Sequence, residues 1–431
     1  MNDLYQRSIE IILENQSASG GYIASPNFPT YHYCWFRDGS FIAYAMDLAG
    51  QHESAHRFHK WVAERVNERK DLVSTGLVKA RAGEKLTEAE VLHTRYRLDG
   101  TDGEPGHWPN FQLDGFGTWL WALNEHHKQN PETQLSQELL DAAELVADYL
   151  SELWSLPNYD CWEEFPDHVH PHTLAAVYGG LQAHTELTGK DHQQATDMIR
   201  KQLLAGTEAF GHFVKFPDAP AVDASLLGLA IPYGVVAVDD PLMVKTVEYI
   251  EATILHTGGV HRYAEDSYYG GGAWVLLTAW LGWYYIELAS KRPDLASGLQ
   301  QKIQTCQSWV EARAGNDLHL PEQVAENLNV PSYYQTWAER WGDIASPLLW
   351  SHILTSDSYH HLQSPMFLSF RPKIIISSFG CNFAGKSYGI VGREVATRQK
   401  IYRIISCVVL ESIVWSWHFG WDLPFIRRMI R

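Results

Sequence analysis

Cysteine is scarce in this 431-residue chain: five residues, at 34, 161, 306, 381 and 407, with no CxxC pair. An odd, scattered set excludes a disulfide framework and a structural zinc site. No segment reaches the roughly 18 uninterrupted apolar residues of a membrane-spanning helix. The opening MNDLYQRSIEIILENQ has no basic stretch followed by an apolar run, so no signal peptide is read and a cytoplasmic, reducing compartment is expected. Basic charge is also short: 34 Lys and Arg against 51 Asp and Glu leave a formal charge of -17. That balance disfavours nucleic acid and anionic membranes as partners. HExxH, GxSxG and glycine-rich phosphate loops are missing, and no His and Cys cluster is read at metal spacing, so neither metal nor cofactor is expected.

Aromatic rings are abundant instead, with 17 Trp and 21 Tyr. Such density serves a Trp-rich core, and it also lines sites for flat, apolar-faced ligands such as sugars. Apolar residues recur at three- and four-residue spacing in about twelve segments, from LYQRSIEIILENQ to PLLWSHIL, and few strands are read. The connections alternate. Short links follow the second, fourth, sixth, eighth and tenth segments; long links rich in Gly, Pro, Trp, Tyr, Asp and Glu follow the others. Twelve helices paired as six hairpins around a ring would send every long link to one end, where function concentrates on a rigid scaffold.

Those links hold the candidate groups. YHYCWFRDG carries Arg37 and Asp38; RYRLDGTDGEPGHWPNFQLDG carries Trp108 and Asp114; LPNYDCWEEFPDH carries Trp162, Glu163 and Glu164. HRYAEDSYYGGGAW adds Arg262, Glu265, Asp266 and Tyr269, and LPEQVAENLNVPSYYQTWAERWGDIASP adds Glu322. The fourth link, around PDAPAVDAS, is assigned no role. Carboxylates among aromatic rings suit glycosidic bond cleavage, which needs an acid to protonate the leaving oxygen and a second carboxylate. Plainer readings stand beside this one. Arg37 and Asp38 make a helix-start ion pair, Asp114 an N-cap, Glu265 and Asp266 partners for Arg262, and Glu164 and Glu322 solvated charges.

In order along the chain, WFRD, a Trp followed by QLDG, YDCWEE, HRYAEDSYYGGGAW and LPEQ with ASPLLWSH resemble signatures of the glucoamylase and glucodextranase family, glycoside hydrolase family fifteen. The resemblance spans roughly residues 30 to 355. It implies an all-α (α/α)6 barrel of six inner and six outer helices, with Glu163 as general acid and Glu322 as general base. Arg37, Asp38 and Arg262 would bind the terminal glucose, Trp108 would sit at the cleavage point, Glu164 at the next sugar, and Trp162 and Tyr33 would touch substrate. The implied activity is an inverting, exo-acting α-glucoside hydrolase that releases β-glucose from short α-gluco-oligosaccharides. An α-1,6 preference like that of isomaltose glucohydrolases is expected from the helices beginning almost at residue 1, with no β-sandwich or starch-binding module. A trehalase, a glycoside phosphorylase or a non-catalytic sugar-binding barrel are the alternatives.

The physical expectation is that Trp162 and Glu164 flank Glu163 and hold its proton by desolvation and like charge, while Glu322 stays ionised. The barrel is placed at 1–360. Beyond it, residues 361–431 form an atypical segment: from Ser364 onward 10 Lys and Arg face 3 Asp and Glu, against 24 and 48 before it. A foreign reading frame or a basic docking tail would each give that change of sign.

Overall fold

Helix after helix begins and ends where local chemistry dictates. Ser136 caps α6 (Gln137–Leu153) by accepting from the Leu139 N–H at 3.4 Å, and Asp240 caps α9 (Pro241–Thr253) through the Leu242 N–H at 2.9 Å. Pro171 opens α7 (Pro171–Thr188), and Gly189 closes it at φ 77°, a conformation that suits glycine. The other helices are α1 (Asp3–Glu14), α2 (Phe36–Leu48), α3 (His52–Glu68), α4 (Lys70–Arg81), α5 (Asp114–Gln129), α8 (Gln193–Ala205), α10 (Val275–Lys291), α11 (Ala296–Glu311) and α12 (Ser332–Trp341). This computed structural model describes residues 3–353 except 104–107, 208 and 218, all within one compact unit, Met1–Arg371. The basic segment read at 361–431 lies outside the described residues.

Burial divides the helices into two sets. In α10, 13 of 17 residues are buried, whereas α8 buries only Thr196, Ile199 and Leu203. An element apolar on every side belongs inside, and one with a narrow stripe belongs outside. Packing runs from α2 to α5, α7, a 3₁₀ run at Ala224–Leu229, α10, a 3₁₀ turn at Leu349–His352 and back to α2. This closed inner ring of six is backed by α3, α6, α8, α9, α11 and α1. His352 completes it, with Nδ1 2.8 Å from the Ser8 hydroxyl and Nε2 accepting from the Leu320 N–H at 3.1 Å.

Ten of the twelve expected segments are α-helical. ASLLGLAIPYG is instead the 3₁₀ run, because Pro232 lacks an N–H and turns Ile231 away from helical geometry. PLLWSHIL forms only the 3₁₀ turn among the described residues. Two helices arise inside links: α4, which buries just Val73, Gly76 and Leu77, and α12, which buries nothing.

Inner helices α5 and α7 cross at glycine. A Cβ on Gly117 would lie 2.2 Å from the Ala176 carbonyl oxygen, and one on Gly180 2.6 Å from the Gly117 oxygen. Gly117→Ala is therefore expected to cost about 3 kcal/mol or more, since backbone cannot step aside as a side chain can. A drop in Tm of roughly 5 °C would register it.

Short strands at the ring's end aim the site. β1 (Cys34–Trp35) leads into α2 and pairs antiparallel with β2 (Arg95–Tyr96), setting Trp35 opposite Arg95. A four-stranded sheet runs β3 (Leu255–His256), β4 (Gly259–Val260), β5 (Ala273–Trp274) and β6 (Gln323–Val324). Its β5–β6 register puts Trp274 opposite Gln323, beside Glu322.

Candidate active site

One cavity of about 560 Å³ opens among these loops, lined by Arg37, Asp38, Trp108, Trp162, Glu163, Glu164, Arg262 and Glu322. Eight of the nine residues singled out from the sequence thus meet in one place. Tyr33 is the exception: its ring lies under the Arg95 guanidinium, 4.0 Å away, and Tyr31 lines the cavity in its stead. Similarly, Tyr268 lines the cavity while Tyr269 is buried, donating to the Gly342 carbonyl at 2.9 Å, and Glu265 is exposed.

Adjacent Glu163 and Glu164 do not share surroundings. Glu163 sits at φ 68° and Phe165 at φ 52°, left-handed conformations that turn successive side chains apart. The Glu163 Oε1 accepts from the Trp35 indole at 2.6 Å and from the Gln112 amide at 3.2 Å. Glu164 turns to the Tyr263 hydroxyl at 2.5 Å and to Arg262 at 3.6 Å. Trp162, expected against Glu163, donates its indole N–H to Asp223 at 3.0 and 3.1 Å. The reading that Trp162 and Glu164 flank the Glu163 carboxyl is thus corrected; Trp35 and Gln112 hold it.

Glu322 is 3 % exposed, and its Oε1 accepts from the Tyr31 hydroxyl at 2.9 Å. Oε2 is buried and has no partner among the described residues. Burial pushes this carboxyl up to about 8, although the Tyr31 hydrogen bond and the Arg262 charge pull it back down. The sequence expectation that Glu322 is ionised at neutral pH is therefore reversed, because desolvation outweighs both partners. A base works only when ionised, so the acid limb of kcat/KM should fall near pH 8 rather than in the ordinary carboxylate range. Tyr31→Phe removes a bond that favours the ionised form, so that limb should move higher still, with the greatest loss on the acid side; an unmoved limb would refute the role given to Tyr31.

Two buried arginines are held in charged form. Arg37, at the start of α2, donates to Asp114 at 3.0 Å and Gln112 at 3.1 Å and lies 3.6 Å from Asp38. Burial opposes its charge, but Asp114 and Asp38 outweigh that and raise its pKa. Asp114 is thus the first residue of α5 and an ion-pair partner, not an N-cap. Asp38 is pushed up to about 6 by burial, against the pull of Arg37. Arg262 forks onto Asp266 at 2.8 and 2.5 Å, within 5.5 Å of the ring centres of Trp162, Tyr263, Tyr268 and Trp274. Such forked, charged donors on a stacked aromatic floor suit a sugar's hydroxyls.

The fourth link, unassigned from the sequence, anchors the acidic loop. Buried Lys215 donates to Asp223 at 2.6 Å and to Asp160 at 3.4 Å. Asp160 in turn accepts from the Trp162 and Glu164 backbone N–H groups at 2.9 and 2.8 Å. Burial works to raise both carboxyls: Asp160 reaches about 7, while Lys215 and the Ser225 hydrogen bonds bring Asp223 below its ordinary value. The available signals were a lone Lys amid GHFVKF and the cap pattern of Asp223 and Ser225. At the mouth, α12 contributes Trp337, Arg340 and Trp341. No helix among the described residues is long and apolar enough to cross a membrane.

Comparison with known proteins gives the family. A family model described as Glycosyl hydrolases family 15 matches residues 1–357. An isomaltose glucohydrolase of Kribbella flavida is 37% identical over 361 residues, covering 82% of this chain and 90% of that one. A glycosidase variant solved in complex with glucose superposes with a TM-score of 0.76 at 35% identity, over 83% of this chain and 96% of the other. A bacterial glucoamylase complexed with acarbose shares the fold, with a TM-score of 0.63 at 22% identity over 84% of this chain and 56% of its own. The double ring is an (α/α)6 barrel, and the protein is a glycoside hydrolase. The chain belongs to glycosyl hydrolases family 15.

Proposed function

We propose that this glycoside hydrolase removes single glucose units from the non-reducing ends of short α-gluco-oligosaccharides with inversion, and that its preferred bond is α-1,6. The observation that carries the reading is that Glu163 and Glu322, 159 positions apart in the chain, line one cavity of about 560 Å³ together with Arg37, Asp38 and Arg262. A cavity of that size suits a small ligand held by few polar groups among aromatic walls. The relation to an isomaltose glucohydrolase supports the linkage.

In this reading Glu163 protonates the glycosidic oxygen. Its Oε1 is occupied by Trp35 and Gln112, so Oε2 is the oxygen available to carry the proton. Glu322 activates water through Oε2, its atom without a partner among the described residues. Attack from the side opposite the leaving group inverts the anomeric carbon. Arg37, Asp38 and Arg262 grip the terminal glucose, Trp108 and Trp162 supply apolar faces, and Glu164 meets the next sugar; Tyr31 replaces Tyr33 in this set. The catalytic unit is residues 1–360, acting on imported sugars in the cytoplasm.

Isomaltose, maltose and trehalose followed separately by proton NMR test this. Early β-glucose from isomaltose, cut roughly 10³-fold by Glu163→Gln, is the expected result. Early α-glucose would refute inversion, release from trehalose alone would make the enzyme a trehalase, and turnover only with added phosphate would make it a phosphorylase.

A further inference from the structure

At the end of α2 away from the cavity lies a second polar cluster that sugar hydrolysis does not use. Arg37 and Asp38 occupy the first turn of α2 and Asp47 its last, about 15 Å further along the axis. Asp47 is buried between α3 and α5. Its carboxylate contacts His126 Nδ1 at 2.8 and 3.0 Å and His52 Nδ1 at 2.8 Å, and accepts from the Asn130 amide at 3.3 Å. His59, 0 % exposed, has no hydrogen-bond partner at either ring nitrogen among the described residues. One donor atom each from Asp47, His59 and His126 lie within 4.8 Å of one another. The His59 and His126 ring centres are 5.0 Å apart.

A neutral imidazole always presents one N–H and one lone pair, so a histidine buried without any partner is anomalous unless something else meets its lone pair. We propose that Asp47, His59 and His126 form a site for a borderline divalent metal ion, of the zinc, cobalt or nickel class, that fastens α2, α3 and α5 together. Two imidazoles and a carboxylate are the donor set such ions select. His52 and Asn130 orient the carboxylate as outer-shell partners do. Zinc bonds of about 2.0–2.2 Å hold their donors roughly 3.3 Å apart, so the ion would take the place of the proton now shared between Asp47 and His126 at 2.8 Å, with the side chains adjusting around it. His56, whose Nδ1 is likewise buried and unpartnered, offers a further nitrogen, its ring 5.7 Å from that of His126. In sequence His52, His56 and His59 recur one helical turn apart, but Asp47 and His126 come from other helices, which hid the set.

The test uses the tag-free full chain, chelator-treated and titrated with Co²⁺ and then Zn²⁺. One tight equivalent per chain is expected, with the visible absorption of nitrogen-ligated cobalt and a Tm raised by roughly 5 °C at a hundredfold excess over Kd. His59→Gln and His126→Gln should abolish the absorption and the Tm rise while leaving kcat unchanged. No stoichiometric binding, or equal binding by His59→Gln, would overturn the proposal. Should the variants fail to fold, X-ray absorption of the wild-type zinc complex decides: a shell with two imidazoles supports the site, and one without them overturns it.

Discussion

Replacing Glu322 with Gln is expected to abolish most activity and yet make the protein more stable. Loss of a general base costs roughly 10²–10⁴-fold in rate. The stability gain follows from linkage. Burial raises the Glu322 carboxyl from 4.5 to about 8, so the folded state holds a proton that the unfolded chain gives up. Below pH 4.5 both states are protonated and Glu322 imposes no penalty; as pH rises towards 8 the penalty grows, and above that it is constant. At pH 7 it amounts to about 3 kcal/mol, which Gln, having no proton to lose, avoids. Thermal scans of both proteins from pH 4 to 9 should show Tm curves that coincide in acid and diverge by roughly 5 °C at neutrality. Parallel curves would mean that Glu322 titrates normally, and the alkaline acid limb of activity would fall with it. An active-site group that destabilises the fold is a common compromise between stability and function.

Lys215→Met should act in the opposite sense. It removes the one ammonium joining buried Asp160 and Asp223, leaving two carboxylates without compensation, a loss of about 3–5 kcal/mol at neutral pH. The deficit should shrink towards pH 5, because unpaired buried carboxylates then take up protons. Denaturant midpoints at pH 5 and 7.5 check the size and the sign. Activity should fall as well, since Asp160 holds the backbone of Trp162 and Glu164, and Asp223 holds the Trp162 indole. A variant that loses stability equally at both pH values would argue that Lys215 matters for packing against Tyr263, 3.8 Å away, rather than for charge.

What the sequence made legible was order, and what it concealed was direction. The alternation of short and long links gave the ring and its functional end, because hydrophobic period and link length are local properties. Eight candidate residues converge in the cavity for the same reason: six lie in long links at one end, and Arg37 and Asp38 stand in the first turn of the helix that follows such a link. Which way a loop side chain points is not local. Glu163 and Glu164 part company through two left-handed backbone positions, and Tyr31 faces the cavity where Tyr33 was expected, on dihedrals that no periodicity encodes. Lys215 and Asp223 acquire meaning only when the third and fourth links meet, and α12 was read as part of a long link although Tyr334, Trp337, Ala338 and Trp341 recur at helical spacing. Charge was misjudged at Glu322 for a related reason, since its burial is a property of the folded cavity and its partner Tyr31 stands far away in sequence.

The way the ring closes also fixes the order in which the enzyme can come into being. His352 fastens to Ser8, 344 positions earlier, and Leu349 takes the Ala24 carbonyl, so the first helix waits for nearly the last described turn before its inner neighbour exists. On a ribosome, which delivers the chain from its start, the hairpins between can assemble as they emerge, but the seam cannot. Glu322 hangs from that seam through a backbone bond to Ala345 and a side-chain bond to Tyr31. A nascent chain stalled before residue 349 would therefore carry Glu163 on a largely formed wall and still be without catalytic power, and release of the last turn would switch the enzyme on.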